Sequence, residues 1–264
     1  MNYTSKNFQL HYLSSYKLLV KTDFQQDTLL VLNADNEVEI LYTYAADAPD
    51  SEAMKLLSLP FQQVFINIPL QSLILVPSEV YDDQDVTLYQ GFQQDERLDR
   101  TNSLSLEEWG LTASYQYDLL LHNRWRKIFP EAKFVADFQM LMHQLKANLP
   151  AEGLVLGAQF RDQQVDMYCF NDGDLQFYST FDILTAEDLK YFVWNTLQTL
   201  GVKQRASQFV ISGVASNHAY VTALRPFADK VIPLQGGIAI HYPDVLAADR
   251  MEALNLLTTA PLCV

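Results

Sequence analysis

Long apolar runs are absent from this sequence. No segment approaches the ~20 consecutive apolar residues of a membrane-spanning helix, and residues 1–12 hold no apolar core of the kind a signal peptide carries. A cytoplasmic protein with no direct membrane insertion is therefore expected. Cysteine is scarce: Cys169 and Cys263 are the two in 264 residues. One falls inside a predicted strand and the other at the last position but one, a placement that implies no disulfide framework. Basic residues are also in deficit, with 18 Lys and Arg against 32 Asp and Glu and a formal net charge of −14. That balance repels the phosphates of nucleic acid and the anionic lipids that attract basic surfaces, so neither is an expected partner. The densest basic run, Arg124-Trp125-Arg126-Lys127, reads as a helix face ending at Phe129-Pro130.

Metal-ligand spacing is missing as well. His11, His122, His143, His218 and His241 show no paired spacing, and neither cysteine has a histidine near it in sequence, so no metal site is expected. Asp82-Asp83-Gln84-Asp85 lacks the glycine and terminal glutamate of a calcium loop and reads as a helix terminus or a solvated face. The run from Ser212 to His218 brings a serine near a histidine without a Gly-x-Ser-x-Gly elbow. Ser216 or Asn217 is expected to cap the following helix instead. Gly236-Gly237 reads as a chain reversal.

What is present is a hydrophobic fraction of 49%, enough for a large core, in a length that fits one large domain or two of about 130 residues. Strand and helix patterns both occur, giving an α/β class. Alternating apolar residues predict three strands over 16–23, 28–33 and 37–44, then a helix over 51–59 with Asp50 or Ser51 as its cap and Pro60 as its stop. Strands follow at 63–68 and 72–76, a helix from 80 to about 90, and an exposed polar loop at 93–103. Residues 104–117 read as strand material, 118–129 as a helix, 132–137 as a strand and 138–147 as a helix. Leu149-Pro150-Ala151-Glu152-Gly153 is the expected boundary. Beyond it come strands at 154–159, 164–170 and 175–181, with Asp172-Gly173 as a hairpin signal. A helix over 186–200 is capped by Thr185, with apolar positions at Leu189, Phe192, Val193, Leu197 and Leu200. The chain ends with a strand at 209–212, a helix at 218–227, a strand at 230–232 and a helix at 248–257.

Placing Asp35-Asn36 on Asp172-Gly173 sets the two three-stranded meanders in register at an offset of roughly 137 residues. Leu18 then falls on Val155, Val31 on Tyr168, Val38 on Leu175 and Ile40 on Phe177. Each meander is followed by a helix, a strand and a helix, so each half has the order β-β-β-α-β-α, as an internal duplication would produce.

This duplicated order resembles the actin, seventy-kilodalton heat-shock chaperone and sugar-kinase superfamily, in which two ribonuclease-H-like halves clasp a nucleotide between them. Residues 134–145 are similar to its connecting strand and crossover helix, and residues 209–215 to the strand and turn before its adenosine loop. More narrowly, the sequence resembles a bacterial family of unknown function with an actin-like fold. The resemblance implies a first actin-like half over 1–150, with an inserted subdomain around 93–130, and a second half over 151–264.

Members that hydrolyse ATP carry Asp-x-Gly-type turns between the first two strands of each half, where glycine lets backbone N–H groups wrap the phosphates and the carboxylate holds hydrated metal. Here the first turn keeps the carboxylate, Asp23, and has no glycine. The second runs Gly157-Ala158-Gln159-Phe160-Arg161-Asp162-Gln163, with one glycine, and the adenosine turn is reduced to Ser212-Gly213. Bulky Phe24 and Phe160 stand where the cradle would be open.

The resemblance thus gives Asp23, Gly157, Gln159, Arg161, Ser212 and Gly213 as candidate ligand-binding residues. No catalytic residue and no cofactor is expected, ATP with magnesium being the alternative. The leading expectation is a non-catalytic interaction or scaffold module with a protein partner. A divergent nucleotide-binding protein or phosphotransferase is the alternative, and a sensor of an anion other than ATP a third reading.

Overall fold

The computed structural model describes residues 2–93, 101–161, 163–235 and 237–264, apart from the side chains of Val86 and Gln90. The chain forms two compact units. The first comprises residues 1–143, 237–243 and 257–264, and the second residues 144–236 and 244–256. Two C-terminal segments thus join the first unit, although sequence order alone assigns them to the second half. One of them is held by Val38 N–H donating to the His241 carbonyl at 2.8 Å and His241 N–H donating to the Asn36 carbonyl at 3.0 Å.

The first unit is built on a six-stranded sheet. Its strands are β1 (Tyr3–Thr4), β2 (Lys17–Thr22), β3 (Gln26–Leu32), β4 (Val38–Ala45), β5 (Gln63–Ile68) and β9 (Lys133–Ala136), in the order β1-β4-β3-β2-β5-β9. β2, β3 and β4 form an antiparallel meander, and β5 runs parallel to β2. Alternation puts Leu18, Val20, Leu29, Val31 and Ile40 on one face, where they pack with Ala53 and Leu56 of α1 (Ser51–Leu57) and Leu121 and Trp125 of α2 (Leu119–Ile128). Asp50 caps α1 through bonds from the Glu52 and Ala53 amides, and Asp118 caps α2 through the Leu121 amide. The basic run lies on α2 as expected, with Arg126 and Lys127 exposed. Trp125 is fully buried, Arg124 is ion-paired inside the unit, and the Arg126 guanidinium lies 4.5 Å from the Phe134 ring centroid.

A separate three-stranded sheet of β6 (Leu70–Pro77), β7 (Thr101–Leu106) and β8 (Leu111–Tyr117), in the order β6-β8-β7, is inserted between β5 and α2. It covers residues 70–117, a span that starts and ends before the expected 93–130, because β6 pairs with β8 along its length. The expected strand over 104–117 is a hairpin, reversed at Gly110, whose φ of 61° suits glycine. The helix expected from 80 is replaced by turns and a short 3-10 segment at Val86–Phe92. The Asp82 carboxylate accepts the Gln84 and Asp85 amides, a local bond that competes with helix. Of the expected loop, residues 94–100 lie outside the described residues, and residues 101–103 belong to β7.

After α3 (Asp137–Asn148), the second unit carries a five-stranded sheet. It consists of β10 (Leu154–Arg161), β11 (Gln164–Asn171), β12 (Asp174–Asp182), β13 (Gln208–Ser212) and β14 (Val231–Pro233), in the order β12-β11-β10-β13-β14. This is the strand order of β4-β3-β2-β5-β9 in the first unit. α4 (Ala186–Thr199) and α5 (Ala219–Leu224) pack Leu189, Val193, Leu197, Val221 and Leu224 onto one face of the sheet. α4 opens with a reciprocal capping box between Thr185 and Asp188. α6 (Ala248–Ala253) follows.

Register corrects the sequence superposition by one residue. Leu18 lies opposite Val31, and Leu156 opposite Cys169, an offset of 138 rather than 137. In each meander the pairing of the second and third strands shifts at the matching place, between Val31 and Leu32 and between Cys169 and Phe170, where Glu39 and Gln176 are the extra residues on the third strands. Past it, Ile40 and Phe177 return to 137, because five residues separate Leu32 from Val38 but four separate Phe170 from Leu175.

Candidate functional site

The corrected register changes which residues are equivalent at the first hairpin of each sheet. Thr22 matches Phe160, and Asp23 matches Arg161. Asp23 N–H donates to the Gln26 carbonyl at 3.2 Å, and Arg161 lies opposite Gln164, so each hairpin turns through two central residues. Position for position, a carboxylate in one unit is a guanidinium in the other.

Asp23 is half-buried and closes its own turn. Its Oδ1 accepts the amides of Gln25 at 2.7 Å and Gln26 at 2.6 Å. These are the N–H groups a bound anion would use at such a turn, and the chain supplies the anion itself. Phe24, at the tip, is exposed.

Just inside this turn lies a buried polar cluster that sequence reasoning missed. Asp27 is 1% exposed, accepts the Thr22 hydroxyl at 2.5 Å and pairs with Arg124 Nη2 at 2.8 and 3.0 Å. The same guanidinium donates to Thr22 Oγ1 at 2.7 Å and to the Ala46 carbonyl at 3.2 Å. Burial raises the Asp27 carboxyl above its ordinary value against the opposing pull of Thr22 and Arg124, and burial beside Asp27 pushes the Tyr44 phenol up. At the parallel end of β5, Asn67 Nδ2 donates to Asp137 Oδ1 at 2.9 Å, both side chains being buried.

In the second unit, Gln159, Ser212 and Gly213 come together. The Ser212 hydroxyl donates to Gln159 Oε1, and a Cβ at Gly213 would overlap the Phe160 carbonyl. With a φ of 83°, Gly213 is fixed as glycine by backbone contact within the unit. Arg161 joins a different group, donating from Nη2 to Asp166 Oδ1 at 2.5 Å while the Thr180 hydroxyl donates to the same oxygen at 2.6 Å. The Arg161 side chain is 13% exposed and that of Asp166 3%. Gly157 sits mid-strand opposite Tyr168, and a Cβ there would overlap the buried Tyr168 ring. Phe160 does not stand over an open cradle; it points into the helix-covered core and stacks on Tyr220 with centroids 5.2 Å apart. Asp162 of this turn lies outside the described residues.

The helix after β13 is capped by neither Ser216 nor Asn217. His218 Nδ1 accepts the Tyr220 amide at 3.2 Å, while Ser216 N–H bonds Glu252 at 2.8 Å and Asn217 bonds Asp249 at 2.6 Å. Gly236 is outside the described residues; at Gly237 a Cβ would crowd the Thr259 backbone. Among the described residues no group of three or more His, Cys, Asp or Glu side chains is placed to hold a metal ion, and no helix is long and apolar enough to cross a membrane.

A family described as "Protein of unknown function (DUF3822)" matches residues 5–231. The chain belongs to that family. This member is similar in structure to a Bacteroides thetaiotaomicron VPI-5482 protein with an actin-like ATPase fold and unknown function. The TM-score is 0.67 at 18% identity, over 95% of this chain and 98% of that one. It is also similar to a chain of the PilM–PilN type IV pilus biogenesis complex, with a TM-score of 0.60 at 10% identity over 94% and 96% of the two chains. No curated protein sequence matches it. The DUF3822 chain therefore has the actin-like ATPase fold, and likeness at these identities extends to fold alone.

Proposed function

We propose that this DUF3822 member is a non-catalytic actin-like domain that acts as an interaction or scaffold module in the cytoplasm. The observation that carries the reading is the Asp23 turn, whose amides at Gln25 and Gln26 are already bonded to the chain's own carboxylate. A carboxylate so engaged is a poor holder of hydrated magnesium, and the amides it occupies are not free for phosphate. The second hairpin supports the same reading, because Arg161 is ion-paired to Asp166. The shared strand order and matching bulges fit an internal duplication whose two phosphate turns were both converted to self-satisfied hairpins. That a similar fold occurs in a pilus biogenesis complex is compatible with a protein partner for this chain.

The rival reading, a divergent nucleotide-binding protein or phosphotransferase, needs Asp23 as a metal-holding carboxylate. Phosphate release from magnesium-ATP discriminates the two. The purified protein should show only the background rate, and Asp23→Ala should leave that rate unchanged. Turnover above background that Asp23→Ala abolishes would overturn the scaffold reading.

A further inference from the structure

Although no stretch of the sequence concentrates positive charge outside α2, the fold of the second unit assembles a basic group from three separate positions. Arg205 donates from Nη2 to the carbonyls of Arg225, at 3.1 Å, and of Ala228, which places it beside the end of α5 and the start of β14. Lys230 follows one residue after Asp229, whose carboxylate lies 3.7 Å from Arg205 Nε. Arg225 and Lys230 have no ion pair among the described residues. Both line a cavity of about 430 Å³ with Ile211, Val221, Ala228 and Val231.

Ser216, which also lines the cavity, is committed to Glu252 through its amide and hydroxyl. Asp229, which lies 3.7 Å from Arg205, lines it beside Arg225 and Lys230. Arg225 and Lys230 are exposed, while Ile211, Val221 and Ala228 are buried. Cavities of a few hundred Å³ with apolar walls and a few converging polar groups take small molecules. Among the lining residues Arg225 and Lys230 outnumber the one carboxylate, Asp229, in a chain whose net charge is −14.

From this arrangement we propose that the second unit carries a binding site for a small organic anion, a carboxylate or phosphate monoester with a compact apolar body. The apolar body lies against Ile211, Val221 and Val231, and the anionic group against Arg225 and Lys230. Phe209 pairs with Val231, so the basic end lies beside the start of β13, whereas Ser212 and Gly213 lie at and beyond its end, about 10 Å away along the strand. The anionic group is therefore placed toward the opposite end of β13 from the turn residues Ser212 and Gly213, while the cavity wall reaches Ile211 and Ser216 on either side of them.

Phenyl phosphate, titrated by calorimetry into the full chain, tests the proposal, with inorganic phosphate and benzyl alcohol as controls for charge and apolar body alone. Saturable phenyl phosphate binding is expected, at least about tenfold tighter than either control and weakened at least about tenfold in the Arg225→Ala/Lys230→Ala variant. Because both side chains are exposed, that variant should melt within about 2 °C of the parent. Asp23→Ala should leave the affinity unchanged. Absence of saturable binding, equal binding by inorganic phosphate, or full affinity in the double variant would overturn the proposal.

Discussion

Gly157→Ala is expected to destabilise the protein by about 3 kcal/mol, a fall of roughly 6–12 °C in melting temperature for a chain of this size. The glycine lies opposite Tyr168 in the β10–β11 pair, and the added methyl group would overlap the tyrosine ring. The ring cannot swing away freely. Tyr168 is 1% exposed and packs edge-on against Phe170 and parallel to Tyr178, with centroids 6.0 and 6.5 Å away. Overpacking of this kind shifts backbone and side chains together, so its cost sits at the upper end of the usual range. Denaturant titration measures the loss, and Gly157→Ala/Tyr168→Leu, which removes the obstructing ring, should recover most of it. A glycine kept for close approach of a ligand would behave differently, since alanine would then fold normally and lose only binding. Unchanged stability in Gly157→Ala would contradict the packing account.

Asp166→Ala carries the second large effect, about 3 kcal/mol. The substitution leaves the Arg161 guanidinium, 13% exposed, without its carboxylate and removes the acceptor of the Thr180 hydroxyl. Breaking one side of a buried pair costs more than the pair itself contributes, because a desolvated charge remains. The double replacement Arg161→Leu/Asp166→Leu should therefore cost less than Asp166→Ala alone, a sign readable in a double-mutant comparison by urea unfolding. A double variant less stable than the single one would show that Arg161 contributes chiefly through contacts other than Asp166.

These two sites show what was legible in the sequence. The strands of both meanders were readable because each face alternates, as in Leu18, Val20 and then Leu29, Val31, and the Asp172-Gly173 turn was readable because both residues adopt positive φ. The one-residue error in superposition came from anchoring on that turn. Its loop is shorter than the Asn33–Glu37 loop, a difference invisible without the pairing partners. The error also set Asp23 on Phe160, whereas Arg161 is its true counterpart.

The buried ion pairs were harder to see. Arg124 and Asp27 are 97 residues apart, and nothing local marks them as partners. A weaker signal did exist: Asp27 continues the period-two face of Leu29 and Val31, and Asp166 that of Tyr168 and Phe170. A carboxylate on an apolar strand face calls for a buried partner. The Arg205, Arg225 and Lys230 group had no such signal, because it forms only when the end of α5 and the start of β14 meet.

The central claim is that the Asp23 and Arg161 hairpins are satisfied by the chain's own groups and leave no nucleotide site. Titration of the full chain with magnesium-ATP in a calorimeter tests it most directly. The account predicts no saturable heat, before or after Asp23→Ala frees the Gln25 and Gln26 amides; micromolar binding by the parent protein would contradict it.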